Sequence, residues 1–342
     1  MSRLIRVAVD AMGGDNAPGV IADGVIDALN ERNELAVTLV GRKEDIEKAL
    51  EGKNYPADRL SIRDAREVIE MAETPTSAIR RKKDSSIVVA LRMVKDGEAD
   101  AFASAGSSGA ILVGGQAIVG RIRGIQRPPF GAVIPTRKGA SLLLDSGANV
   151  DVRSDHLVQF ARIGTIYMRD VLGVADPKVG LINIGAEKEK GNALVKETFP
   201  LLEEDPDIHF AGSVEARDIP EGGVDVLVAD GFAGNIVLKM YEGTATALLG
   251  AVKEGLMSTL RSKIGALLIK PSLKGVLSTY DATAYGGAPM LGLNALVVKM
   301  HGSAKAKEVK NAMFQCIDFV EADISDKIRD QIVPPEKVEV QD

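Results

Sequence analysis

A chain of 342 residues with 45% hydrophobic and 26% charged side chains has the composition of a soluble globular protein with room for a sizeable core. A formal net charge of -6 and 4% aromatic residues, with no tryptophan, exclude a general nucleic-acid surface and a stacking platform for single strands. One cysteine, Cys316, excludes an internal disulfide and fits a reducing cytoplasm.

The sequence opens on an apolar run, LIRVAV (4–9), with no charged-then-apolar leader ahead of it, so a cytoplasmic chain is expected. Strands are predicted at 4–9, 35–40, 60–65, 100–104, 130–135, 140–145, 178–183 and 224–229. Several are apolar almost throughout, as in strands covered on both faces. Pro18 suits a first helical turn. Ser154 is the candidate cap of a helix whose apolar face is Leu157, Phe160, Ala161, Gly164, Met168 and Val171. Residues 101–120 form 20 uncharged positions, the length of a membrane-spanning helix. Their five glycines and three serines, with SAGSSG among them, favour a strand, a tight loop and a buried helix. From 234 to 278 the pattern is mainly helical, 294–300 is a further short strand, and a last helix is expected over 304–329. The alternation predicts an α/β chain of three layers, a mostly parallel sheet with helices on both sides. No Pro/Ser-rich linker divides it, so residues 1–342 are expected to form one continuous unit.

Ligands of open parallel sheets bind outside the carboxyl ends of the strands. The segments there are DAMGGD (10–15), AGSSG (105–109), SGAN (146–149), IGAEKEKGN (184–192) and DGFAGN (230–235), all expected to converge on one sheet edge. Each offers small residues, main-chain N–H groups and short polar side chains. Alone, Gly13-Gly14 reads first as a tight strand-to-helix turn, and Asp10 and Asp15 would repel an anion. AGSSG opens a helix, where unpaired N–H groups hold anions, yet it is neither G-x-G-x-x-G nor a Walker motif. Lys190 reads as a solvated loop charge or as a cation delivered to the pocket.

Absences narrow the chemistry. No Cys/His cluster has metal-ligand spacing, His156, His209 and His301 are scattered, and no G-x-S-x-G is present. Cys316 lies on the apolar side of a helix and reads as a packed thiol. A site rich in anion donors without a protein nucleophile suits a reaction in which a bound anion attacks.

Taken in order, DAMGGD (10–15), SAGSSGA (104–110), LLLDSGANVD (142–151), NIGAEKEKGN (183–192), SVEARDI (213–219), ADGFAGNIVLK (229–239), YGGAPMLGL (285–293) and HGS (301–303) resemble the phosphate acyltransferase (PlsX) family. The resemblance covers nearly the whole chain. It departs where Ser107 and Ser108 replace Asn and Thr, where Ala233 replaces Thr, and where Ala216 replaces Gly. It implies an isocitrate dehydrogenase-like and phosphotransacetylase-like fold, a homodimer built on the helical C-terminal part, and acyl phosphate made from acyl-acyl carrier protein and inorganic phosphate. No cofactor is implied. Phosphate would attack the thioester directly, and the product would pass to a membrane glycerol-3-phosphate acyltransferase for phosphatidic acid synthesis. Lys190, Asn192 and Asn235 would then be catalytic. Gly13, Gly14, Asp15, Ser104, Gly106, Ser107, Ser108, Gly109, Asp230, Gly231 and His301 would line the substrate and phosphate site.

Two surfaces carry expectations. An acidic carrier protein needs a basic dock, for which RRKK (80–83) and the group Arg121, Arg123, Arg127 are candidates beside their reading as solvated charges. Along 255–277, Leu256, Leu260, Ile264, Leu267 and Leu268 form one side, with Arg261, Lys263, Lys270 and Lys274 nearby. That stretch is either a packed dimer helix or a peripheral contact with anionic membrane. The enzyme alternatives are a phosphotransacetylase using short acyl-coenzyme A and, less well matched, a dehydrogenase, which would want metal carboxylates and a nicotinamide site. A non-enzymatic lipid-precursor sensor would have no need of Lys190 and Asn235.

Overall fold

Strands form here chiefly where apolar runs are covered on both faces. The computed structural model describes residues 3–280 and 282–332. β1 (Ile5–Asp10), α1 (Gly19–Glu31), β2 (Leu35–Gly41), α2 (Lys43–Leu50) and β3 (Leu60–Asp64) alternate. α3 (Pro75–Arg81) and α4 (Ser86–Lys95) lead to β4 (Ala101–Ser104), α5 (Ser108–Gly114) and a π-helical turn over Gly115–Val119. β5 (Ala132–Thr136), β6 (Gly139–Leu144), α6 (Ser154–Asp170), β7 (Lys178–Asn183), α7 (Ala193–Glu203) and β8 (His209–Glu215) follow. A 3-10 turn over Ala216–Glu221 precedes β9 (Val226–Val228) and the long helices α8 (Gly231–Met257) and α9 (Leu260–Thr279). After them come β10 (Ala288–Pro289), β11 (Leu296–Lys299), α10 (Ala306–Glu321) and α11 (Ile324–Ile332).

The strands divide between two sheets, which corrects the expectation of a single one. The described residues accordingly fall into two units, one of residues 3–131, 162–175 and 283–332, the other of residues 132–161, 176–280 and 282. Hydrophobic patterning specifies which segments are strands and leaves open which neighbours they take.

In the first unit the order is β10-β11-β4-β1-β2-β3, parallel except for β10. The order reverses at β1: β2 and β3 lie to one side, β4 and β11 to the other. Right-handed crossovers therefore put α1 and α4 on opposite faces. α4 packs on β1, β2 and β4, while α10 packs on α1 and on β1, β4 and β11. Phe102, fully buried on β4, is among the largest core side chains. The uncharged stretch 101–120 is β4, a loop, a short helix and the π turn. Among the described residues no helix is long and apolar enough to cross a membrane. The expected last helix is two helices, because Asp323 takes a left-handed conformation (φ 50°) between α10 and α11. Its carbonyl then accepts the N–H groups of Asp326 and Lys327 that start α11.

In the second unit the order is β5-β6-β9-β7-β8, with β5 and β6 an antiparallel hairpin and the rest parallel. Ile134, Leu143, Ile219 and Leu227 form a core cluster, against which Val214, Val224 and Tyr241 pack. β8 was not expected from the sequence: it lies on the sheet edge and none of its residues is fully buried, so it has no apolar run. Ser154 is the first residue of α6 rather than its cap, and its hydroxyl donates to Glu197 at 2.9 Å. The stretch 255–277 bends between α8 and α9, where Thr259 and Ser262 form a reciprocal capping box. Leu256 thus belongs to α8 and is not in line with Leu260, Ile264, Leu267 and Leu268 of α9.

Truncating Phe102 to alanine leaves a cavity in the β4 core and is expected to cost about 3–5 kcal/mol. Denaturant unfolding checks this, and a loss below about 1 kcal/mol would contradict the packing described.

Candidate active site

Three neighbouring parallel strands of each sheet send their following loops outward together. In the first unit these are β11, β4 and β1, followed by 300–303, 105–109 and 11–15; in the second, β6, β9 and β7, followed by 145–149, 229–235 and 184–192. The single sheet edge expected from sequence is two edges of three loops each.

Asp10 organises the first set. It is 1% exposed at the end of β1. One oxygen accepts Met12 N–H at 3.1 Å, and the other accepts the Ser104 hydroxyl at 2.6 Å. Ser104 Oγ in turn accepts Gly106 N–H at 2.9 Å. Burial pushes the Asp10 carboxyl up from its ordinary value, against the hydrogen bonds from Ser104, Ser86, Met12 and Gly13. The Ser104 proton and the Gly106 amide are therefore engaged within the protein. Gly13 packs so tightly here that a Cβ would sit 2.4 Å from Asp10 Oδ2 and 2.5 Å from Gly106 N. Asp15 N–H donates to Gly302 carbonyl at 2.8 Å, and Met300 N–H to Ser104 carbonyl at 2.8 Å, so the three loops are laced together.

Ser107 caps α5 and accepts Ala110 N–H at 3.4 Å, the cap role an asparagine would fill equally. Ser108 is exposed and Gly109 half-buried at the start of that helix. The exposed His301 ring is oriented through Nδ1 by Ser303, whose N–H lies at 3.2 Å. Lys299, at the end of β11, belongs to the same cluster and is brought down to about 8, first by burial, against the pull of Asp10 and Asp15. Its position inside the apolar run NALVVKM hid it in the sequence.

Asp145 plays the corresponding part in the second set. Fully buried beyond β6, it accepts the N–H groups of Gly147, Ala148 and Asn149 at 3.0, 3.0 and 2.6 Å. Asp230 caps α8 by accepting Ala233 N–H at 2.7 Å, a bond that Ala at 233 supplies as well as Thr. Gly231 and Gly234 let the loops touch: a Cβ on Gly231 would lie 2.7 Å from Asn149 O, and one on Gly234 2.0 Å from Asp145 O. The Asn235 amide donates to Ser146 carbonyl at 3.0 Å.

The β7 loop carries the cation. Asn192 caps α7 through Val195 N–H at 2.9 Å. Asn183 Nδ2 donates to Lys190 carbonyl and to Ser213 Oγ, both at 3.2 Å, which holds the loop to β8. Lys190 Nζ lies 2.9 Å from Glu187 in an exposed pair, and that partner shifts the ammonium up and the carboxyl down. Ser213 also lines an open hollow of about 230 Å³ with Ser141, Ala211, Val214, Ile219 and Leu227. Cys316 is fully buried in α10, and burial pushes its thiol up, away from the thiolate a nucleophile needs. Among the described residues no group of three or more His, Cys, Asp or Glu side chains could hold a metal ion.

The family model described as "Fatty acid synthesis protein" matches residues 5–327. A phosphate acyltransferase of Clostridium botulinum is 49% identical over 326 residues, covering 95% of this chain and 98% of that protein. One of Desulfitobacterium hafniense is 48% identical over 329 residues, covering 96% and 98%. A phosphotransacetylase structure from Streptococcus pyogenes superposes with a TM-score of 0.60 at 16% identity, covering 94% of this chain and 95% of that one. A branched-chain phosphotransacylase from Enterococcus faecalis V583 gives 0.53 at 14%, covering 93% and 100%. The two structures establish the fold, and the family model with the close relatives establishes the descent: this chain belongs to the phosphate acyltransferase (PlsX) family of fatty acid synthesis proteins.

Proposed function

We propose that this acyltransferase makes acyl phosphate from acyl-acyl carrier protein and inorganic phosphate by direct attack of bound phosphate on the thioester. The observation that carries the reading is the Lys190 loop: a cation set by Asn183, Gly191 and the Asn192 cap, in a chain whose one cysteine is buried and unreactive. The pair with Glu187 is exposed and screened by solvent, so a phosphate dianion displaces the carboxylate from Lys190. The leaving group is a thiolate whose parent thiol has a pKa of about 8.5, and it departs without strong acid help. The work left to the protein is to hold phosphate near the carbonyl and to stabilise the oxyanion.

Lys190 is assigned to phosphate, with the free amide hydrogens of Asn192 and the Asn235 side chain supporting it. Asp230 and Gly231 shape their loop. Gly13, Gly14, Asp15, Ser108, Gly109 and His301 are assigned to substrate contact. Ser104, Gly106 and Ser107 act by holding the loops that carry those groups. The hollow beside Ser213 offers apolar surface to an acyl chain. Of the basic candidates for carrier docking, Arg80 and Arg81 are exposed, whereas Lys82 is turned inward to Val68 carbonyl and Glu73. A membrane glycerol-3-phosphate acyltransferase is the proposed acceptor of the product.

α8 and α9 pack on each other and leave Met240, Leu248, Leu260, Leu267 and Leu268 62–76% exposed. So much apolar surface calls for a partner, and we assign it to a homodimer, with Arg261, Lys263, Lys270 and Lys274 free to meet anionic lipid.

Phosphate-dependent thiol release tests the reaction. Lys190→Ala is expected to lose about a thousandfold or more in rate while unfolding normally, and acyl carrier protein thioesters are expected to outperform coenzyme A thioesters. Near-normal turnover of the variant, or a preference for coenzyme A, would overturn the corresponding assignment. For the helices, the double variant Leu267→Glu, Leu268→Glu is expected to sediment as a monomer and to release anionic vesicles; an unchanged dimer places the interface elsewhere.

A further inference from the structure

Outside the helical stretch 231–280, the second unit exposes few large apolar side chains: among the described residues they are Val150, Ile184 and Leu201. Two of these three follow neighbouring strands. Leu144 of β6, Val228 of β9 and Leu181 of β7 stand side by side in register. Beyond that row the chain exposes Val150 after β6, Phe232 after β9 and Ile184 after β7, at 56%, 62% and 80%. Exposed apolar residues scattered singly need no explanation. Three at the ends of three adjacent strands do.

Hydrogen bonds fix where they stand. Gly231 N–H donates to Asn149 carbonyl at 2.8 Å, so Val150 and Phe232 each follow a member of a joined pair. On α8, Phe232 shares a helix face with Asn235, whose amide donates to Ser146 carbonyl in the β6 loop at 3.0 Å. Ile236, 53% exposed, continues the apolar line by a turn. Ile184 N–H donates to Asn183 Oδ1 at 2.8 Å. The next residue, Gly185, lies so close under Lys190 that a Cβ would sit 2.4 Å from its Cδ and 3.1 Å from Nζ. The ammonium of Lys190 is therefore bordered by exposed hydrocarbon. Such a surface fits a ligand of matching build, an anionic head joined to an apolar chain.

We propose that Val150, Ile184 and Phe232 form the subsite for the acyl chain, a role that rests on the assignment of Lys190 to phosphate made above. The chain leaves the carbonyl across Ile184 and Phe232 while the phosphoryl group stays on Lys190. Contact removes apolar surface of both partners from water, and each methylene laid on these side chains adds to binding. Because the three side chains form an open collar, chains are graded by length. Asn183, just before Ile184, also donates to Ser213 Oγ, so the hollow beside Ser213 borders the same loop and is the rival place for the chain. With Ser141, Ser213 and Asp218 in its wall, that hollow is the less apolar of the two.

The test measures kcat/KM for phosphate-dependent thiol release from butyryl, octanoyl and palmitoyl thioesters of acyl carrier protein, in wild type, Ile184→Ser and Phe232→Ser. Both positions are exposed, so denaturant unfolding of the variants should match wild type. Wild type should gain about two- to fourfold per methylene between the butyryl and octanoyl donors. Each serine variant should lose about tenfold or more on the palmitoyl donor and less than about threefold on the butyryl donor, so the dependence on chain length flattens. Equal losses on all three donors, as a residue of a subunit interface would show, or no loss on any, overturn the subsite. Flattening by Ala211→Phe, which fills the hollow, with the dependence retained in the serine variants, places the chain in the hollow and overturns it too. A wild type that releases no thiol with phosphate from any donor would instead overturn the proposed reaction, and the subsite with it.

Discussion

A carboxylate buried at the end of a parallel strand is the interaction on which each candidate loop set depends. Strand-end loops rich in glycine expose main-chain N–H groups that need acceptors when buried. Asp10 and Asp145 supply those acceptors from inside, each turning the chain out of its strand around its own oxygens. Burying a charge without partners is prohibitive, so the bonds from Ser104, Met12 and Asn149 are conditions of the arrangement. Glycines at 13, 231 and 234 follow from the same constraint, because the loops meet backbone to backbone where no Cβ fits.

Asp10 therefore does not spoil an anion loop. It is occupied by its neighbours, and Lys299 and Asp15 complete a cluster in which carboxylates and an ammonium balance. The cation we propose for phosphate is in the second unit, where the Lys190 side chain is held in an exposed pair with Glu187.

Much of this was legible from the residues alone. Strands covered on both faces announced themselves as apolar runs, and the loops that follow them were visible as clusters of Gly, Ser, Asn and Asp. β8 was not, because an edge strand with half-exposed residues has no run to show. The division into two sheets was not, because strand pairing is a long-range choice that local pattern does not encode. The break between α8 and α9 was readable in the Thr259 and Ser262 capping box, though serine in place of Glu or Gln weakens that signal. Ser104, Ser107 and Asn192 looked like ligand donors; only the geometry shows that their hydrogen bonds serve the loops and helix starts. Lys299 was concealed by the apolar residues around it.

The central claim is that phosphate itself breaks the thioester and that no acyl group passes through the protein. Rapid-quench measurement of thiol release from acyl-acyl carrier protein, with the enzyme at stoichiometric concentration and phosphate withheld, tests it most directly. No burst of free thiol is predicted until phosphate is added, when release and acyl phosphate should rise together. A stoichiometric burst without phosphate, with acyl label retained on the chain, would contradict the account.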